Sequence, residues 1–261
     1  MGVVNVTPDS FSDGGRYAST EAAVAHARTL IAEGADILDI GGESTRPGAE
    51  VVTLDEECGR VLPVIEALAG SGVPISVDTR KPALMRDAIA AGASLVNDIS
   101  SLEAAQALET VAQTSAAVCL MHKQGEPGTM QQNPLYENVV LEVRDYLAGR
   151  IEAALKAGIA RERIVIDPGF GFGKTQEHNL ELVRHLSQLT KLGVPVLAGL
   201  SRKAMLGRMT GREAHERVHA SVAAAIYAVE QGASIVRVHD VTATRDALAV
   251  WFALKGTIDH S

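Results

Sequence analysis

Apolar residues fall along this 261-residue chain in two alternating textures. Short, nearly continuous aliphatic runs recur, and between them lie longer stretches in which apolar positions return every three or four residues. The runs predict strands at residues 2–6, 36–40, 74–78, 94–98, 116–121, 163–167, 194–200 and 234–238. The longer stretches predict helices at residues 20–33, 54–69, 82–91, 103–114, 137–157, 177–192, 212–231 and 243–254. Continuous aliphatic interiors belong to parallel strands buried on both faces. Strict alternation of strand and helix implies a parallel sheet, and eight rounds imply closure. The predicted fold is therefore α/β, a (β/α)8 TIM barrel forming a single domain over residues 1–261.

Three helix-to-strand passages share one plan: Glu33-Gly34-Ala35-Asp36, Ala91-Gly92-Ala93-Ser94 and Gln231-Gly232-Ala233-Ser234. Each puts a glycine where a helix ends in a left-handed residue, then enters an aliphatic strand. These turns belong to the stability face of a barrel. The longest irregular stretches instead follow the first, second and fifth strands, on the opposite face, where barrel enzymes build their active sites.

Composition narrows the class. Apolar residues make up 46% and aromatics only 3%, which favours an alanine-rich helical shell over a β-sandwich. A net charge of −8 argues against a nucleic-acid surface, which would show a basic excess, but leaves room for an anionic ligand held by a few local cations. Cys58 and Cys119 have no metal spacing and read as reduced core thiols. No apolar run is long enough to span a bilayer and no signal-peptide pattern is present, so a cytoplasmic place is expected.

Two motifs invite over-reading. His215-Glu216-Arg217-Val218-His219 matches the zinc-protease HExxH, but no third ligand lies within reach, and the first turn of the seventh barrel helix explains it. Gly169-Phe170-Gly171-Phe172-Gly173-Lys174-Thr175 looks like a P-loop, yet the position that should hold its first glycine is Pro168, which has no N–H for phosphate.

The chemistry gathers at the carboxyl ends of the strands. Asp78, Asn97, Asp98 and Asp167 close the third, fourth and sixth, and Arg237 and His239 close the eighth. Carboxylates and amides there can read the donor edge of a planar heterocycle. An Asp at a strand end can equally cap the segment that follows. Arg46, Arg202, Lys203, Arg237 and His239 fall just beyond strands, where they could converge on an anion.

In register along almost the whole chain stand residues 5–15 and 41–49, Ser76-Val77-Asp78-Thr79, Asn97-Asp98-Ile99, Met121-His122 with Gln124-Gly125, residues 167–173, Ser201-Arg202-Lys203 and Arg237-Val238-His239-Asp240. With these the chain resembles the dihydropteroate synthases, pterin-binding transferases of the folate pathway. The resemblance implies condensation of 7,8-dihydropterin-6-ylmethyl diphosphate with 4-aminobenzoate, releasing pyrophosphate. It implies pterin binding by Asp78, Asn97, Asp167 and Lys203, and diphosphate binding by Asn5, Thr45, Arg46, Arg237 and His239. Phe11, Pro47, Phe172, Ser201 and Arg202 would form the aminobenzoate pocket. Mg2+ would sit at Asn5 as the one cofactor, in keeping with that ion's use of substrate phosphates and few protein ligands. Asp13, Asp78, Arg237 and His239 would act in catalysis, the carboxylates stabilising a dihydropterin cation and the basic pair the departing pyrophosphate. A homodimer through late helices and a sulfonamide-binding site are implied as well. Two rivals remain: a pterin-binding methyltransferase domain acting on methyltetrahydrofolate, and a non-catalytic pterin-binding protein. The cationic set Arg46, Arg202, Lys203 and Arg237 favours the synthase over the methyltransferase, and the intact motif residues of the first two loops speak against the non-catalytic protein.

Overall fold

The computed structural model describes residues 1–7, 15–44, 52–125 and 128–256. Six strands, β1 (Gly2–Asn5), β2 (Leu38–Gly41), β3 (Ile75–Asp78), β4 (Leu95–Asp98), β5 (Ala117–Met121) and β6 (Ile164–Asp167), lie side by side in chain order, every pair parallel. β7 (Leu197–Ala198) and β8 (Ile235–Val236) form a second parallel pair. Single parallel bridges join Ile166 to Val196 and Gly2 to Val238, and these two seams close the eight strands into a barrel. At the second seam the backbone N–H of Val3 donates to Val238 at 3.1 Å and that of Val238 to Met1 at 2.9 Å.

Around the strands lie α1 (Gly15–Ala32), α2 (Leu54–Leu68), α3 (Pro82–Ala91), α4 (Ala107–Ala112), α5 (Val139–Lys156), α6 (Gln176–Arg184), a short α7 (Ser187–Thr190), α8 (Ala204–Thr210), α9 (Val218–Glu230) and α10 (Val241–Lys255). Side chains alternate along each strand, so two cores result. The larger lies between strands and helices and includes Val4, Leu38, Ile40, Val77, Val96, Leu120 and Ile166. A small one fills the barrel itself: Met1, Leu95, Cys119, Val165 and Leu197, with Ile37, Ala117 and Ile235 against it. That plug closes the lower barrel and leaves only the carboxyl end open to chemistry.

Several boundaries depart from expectation. The predicted helix at 103–114 shrinks to α4, because Ser101, Leu102 and Gln106 all have positive φ and cannot continue a right-handed helix. The one expected at 177–192 breaks into α6 and α7. The one at 212–231 starts only at Val218, after a 3-10 turn at Ala214–Glu216, where the Arg217 guanidinium binds the carbonyls of Arg212 and Arg202. The last two strands are short: Pro195 has no N–H for a ladder, and one bridge replaces regular pairing beside it. Gly34, Gly92 and Gly232 take the positive φ that their turns require.

Candidate functional site

Strand register assembles the mouth. Asn5 pairs with Gly41, Gly41 with Asp78, and Asp78 with Asn97, so residues scattered over four strands occupy one row. Gly41 leaves that row open, since a Cβ there would come within 3.3 Å of Asp78 Cβ. One layer deeper in β2 stands Asp39, fully buried. Its Oδ2 accepts Arg237 Nε at 2.6 Å and Asn97 Nδ2 at 3.0 Å, while Asp78 Oδ2 accepts Arg237 Nη2 at 2.9 Å. Four side chains from β2, β3, β4 and the end of β8 thus form one hydrogen-bonded network. Burial, then the neighbouring Asp39 charge, lifts Asp78 to about 7 against the opposing pull of Arg237. The Arg237 guanidinium is held charged by Asp39 and Asp78, which outweigh its burial.

Asp167 enters from β6. Its Oδ1 accepts the N–H of Gly169 at 2.7 Å, and burial raises its pKa against the pull of that N–H, Lys203 and Lys174. Lys203, just before α8, lies with Nζ 4.3 Å from the centre of the Phe172 ring, a cation–π contact. Burial lowers this ammonium to about 8, with Asp167 opposing. His239 follows β8 and leans on Ser201: the Ser201 hydroxyl accepts the backbone N–H of His239 at 3.2 Å and lies 3.0 Å from Nδ1. A hydroxyl proton given to Nδ1 leaves the ring N–H on Nε2. Burial and the charges of Arg237 and Arg202 push His239 down to about 4, so it is a neutral donor at neutral pH.

Three sequence-derived expectations change on this geometry. Asp98 faces away from the mouth, its oxygens accepting the N–H groups of Ser100 at 2.7 Å and Leu102 at 2.8 Å, so the capping role wins there. Arg202 is ion-paired with Asp240 at 2.5 Å, and Arg237 with Asp39 and Asp78; neither guanidinium is wholly available to an anion. His215 and His219 lie in different elements, the 3-10 turn and α9, so they do not share a helix face; no cluster of three or more His, Cys, Asp or Glu able to hold a metal occurs among the described residues. Phe11, Asp13, Thr45, Arg46 and Pro47 lie outside the described residues.

Sequence reasoning missed two groups that organise the mouth. Asp39 is a lone carboxylate in an aliphatic strand, and that incongruity was its signal. Lys174, set aside with the failed P-loop, is enclosed and donates to the carbonyls of Gly169 at 2.9 Å and Phe172 at 3.0 Å, with His122 Nδ1 at 2.9 Å. It clamps the loop after β6 to the one after β5. That packing is why the loop carries glycines: a Cβ on Gly169 would collide with the His122 carbonyl and one on Gly173 with that of Gln124. The stem of the second loop is pinned likewise, Glu43 accepting Arg80 at 3.0 Å and Lys81 at 2.5 Å.

A family model described as pterin binding enzyme matches residues 1–239. The dihydropteroate synthase of Neisseria meningitidis serogroup B is 55% identical over 261 residues, covering 97% of this chain and 92% of that protein. The chain belongs to the dihydropteroate synthase family. Two solved members of this family from Xanthomonas albilineans carry the likeness into three dimensions. The dihydropteroate synthase solved with 4-aminobenzoic acid is 55% identical with a TM-score of 0.93, covering 98% of this chain and 92% of that one. The one in complex with 7,8-dihydropteroate is 52% identical with a TM-score of 0.90 over the same shares. The barrel fold expected for the family is thus the fold of the solved relatives.

Proposed function

We propose that the chain is a dihydropteroate synthase. It joins the methylene carbon of 7,8-dihydropterin-6-ylmethyl diphosphate to the amine of 4-aminobenzoate: the C–O bond to diphosphate breaks, a C–N bond forms, and the amine loses a proton. The observation that carries this reading is the convergence of Asp78, Asn97 and Asp167 on one mouth with Lys203 and Arg237. Carboxylates and an amide oxygen suit the N–H edge of an amino-pyrimidinone, where a bidentate contact is shape-specific.

The aromatic amine is a weak nucleophile, so charge on the departing diphosphate dominates the barrier. His239, uncharged at neutral pH, donates a ring N–H to that diphosphate, with Arg237 adding its field. Asp78 and Asp167 stabilise positive charge growing on the dihydropterin. Phe172, fixed over Lys203, and Ser201, beside His239, border the approach of the aminobenzoate, as does Arg202. Roles for Asp13 in catalysis, Thr45 and Arg46 at diphosphate, and Phe11 and Pro47 at aminobenzoate rest on the family resemblance.

The donor set fits Mg2+ bound mainly through substrate: Asn5 offers a hard amide oxygen at the row's end, and no protein cage surrounds it among the described residues. Asn5 would hold the ion, which when bound supplies charge neutralisation at the diphosphate. A homodimer is proposed through α9 and α10, which pack together and expose Tyr227, Val250 and Leu254; light scattering in solution tests it. A cytoplasmic place is proposed from the family resemblance; no helix among the described residues is long and apolar enough to cross a membrane. Incubation with Mg2+, the pterin diphosphate and 4-aminobenzoate should release pyrophosphate only when all substrates are present. Release independent of 4-aminobenzoate, or none at all, would overturn the assignment.

A further inference from the structure

Asp39 does its work from below the mouth. It is fully buried in β2, a layer under Asn5, Asp78 and Asn97, and a single oxygen receives both Asn97 Nδ2 and Arg237 Nε. A primary amide has one donor end and one acceptor end, whereas a carboxylate has only acceptors. Asp39 therefore admits the Asn97 amide in one orientation, with nitrogen turned down and oxygen turned towards the mouth. The flipped amide would set oxygen against oxygen in a buried site, where an unmade hydrogen bond is costly. The same carboxylate holds Nε of the Arg237 guanidinium while Asp78 holds Nη2, so two carboxylates fix the plane of that cation.

We propose that Asp39 is a positioning residue that sets the donor–acceptor pattern of the mouth, and through it the preference for a 2-amino-pteridine over its 2-oxo counterpart. The inference rests on the reading of this mouth as the pterin site. With Asn97 locked oxygen-outward, Asp78, Asn97 and Asp167 present acceptors together. A ligand edge rich in N–H groups satisfies them, and an edge carrying a carbonyl in place of the 2-amino group opposes them. Without Asp39 the Asn97 amide turns freely, and the mouth accepts either edge.

The test compares calorimetric affinities of 6-hydroxymethylpterin and the matching 2,4-dioxopteridine for the wild-type protein, Asp39→Leu and Asp39→Asn. Asp39→Leu removes the accepting oxygen; it should weaken pterin binding about tenfold and the dioxo ligand far less, so that discrimination collapses. Asp39→Asn keeps one accepting oxygen and should hold the preference to within about threefold of wild type. A folded Asp39→Leu that retains the preference, or loses both ligands equally, would overturn the proposal, because a purely structural role moves both affinities together. If Asp39→Leu does not fold, Asn97→Leu decides: it leaves Asp39 paired with Arg237 and removes only the amide that Asp39 orients, so discrimination between the two ligands should collapse, and a retained preference would overturn the proposal. A wild-type protein that binds no pterin would instead overturn the site reading, and this inference with it.

Discussion

Nζ of Lys174 lies 2.9 Å from Nδ1 of His122, with both side chains enclosed between the loops after β5 and β6. Two basic groups so close cannot both be charged. Burial and the Lys174 charge push His122 from its ordinary 6.5 to about 3, and burial lowers Lys174 from 10.5 to about 7 against the pull of Asp167.

The sign of the pH dependence follows. Between about pH 6.5 and pH 3 an unfolded chain binds a proton at His122 that the folded one refuses, so this residue makes stability fall as pH falls, by up to about 1.4 kcal/mol per unit. Between about pH 7 and 10.5 the refused proton is that of Lys174, and its contribution to stability rises with pH. His122→Asn, which keeps an acceptor near Nδ1, should flatten the acid decline of the urea midpoint; Lys174→Met should abolish the alkaline gain. Lys174→Met also strands the carbonyls of Gly169 and Phe172, at about 1–3 kcal/mol each. Wild-type and His122→Asn curves that run parallel below pH 6.5 would show that the folded imidazole titrates normally.

Asp167→Asn keeps an oxygen for the Gly169 N–H, so the loop after β6 should survive. The remaining position becomes a donor facing donors on the pterin. Affinity for pterin diphosphate is expected to drop by about a hundredfold, equivalent to about 2.7 kcal/mol, with melting nearly unchanged. Unchanged calorimetric affinity would remove Asp167 from pterin recognition.

Arg237→Ala leaves Asp39 and Asp78 without their shared counter-charge. Loss of one partner from a buried ion pair costs about 3–5 kcal/mol, read as a lowered denaturant midpoint. Because the guanidinium is tied into the pterin end of the site, affinities for free pterin and for its diphosphate should both fall. A loss confined to the diphosphate would place Arg237 at the leaving group alone.

His215→Ala should change neither activity nor metal content, since it lies in the 3-10 turn before α9 while His219 lies in that helix. Stoichiometric zinc that disappears in this variant by elemental analysis would restore the metalloprotease-like reading.

The alternation of textures made most of the barrel legible. α3 runs over the predicted residues because its limits are local: Pro82 opens it and Gly92 caps it with positive φ. α4 was overextended because its start depends on Asp98 binding two loop N–H groups, which a propensity reading does not see. The same boundary separates what was legible in the site. Asp78, Asn97 and Asp167 end strands, where chemistry is expected, and the fold brings them together. Asp39 sits inside a strand and meets Arg237 198 residues away, and Lys174 meets His122 across 52. Neither partnership leaves a mark within any short window of sequence.

Closure of the barrel by two single-bridge seams orders its assembly in time. Met1 reaches Val236 across 235 residues, a contact whose loop-closure entropy must be met before it gives anything back. A chain emerging from the ribosome can pair β1 through β6 while β8 is still unmade. Such a nascent sheet would hold Asp39 in its second strand with no Arg237 to neutralise it, and would lack His239 altogether. The catalytic mouth is therefore among the last features to exist, completed when the final strand docks beside the first.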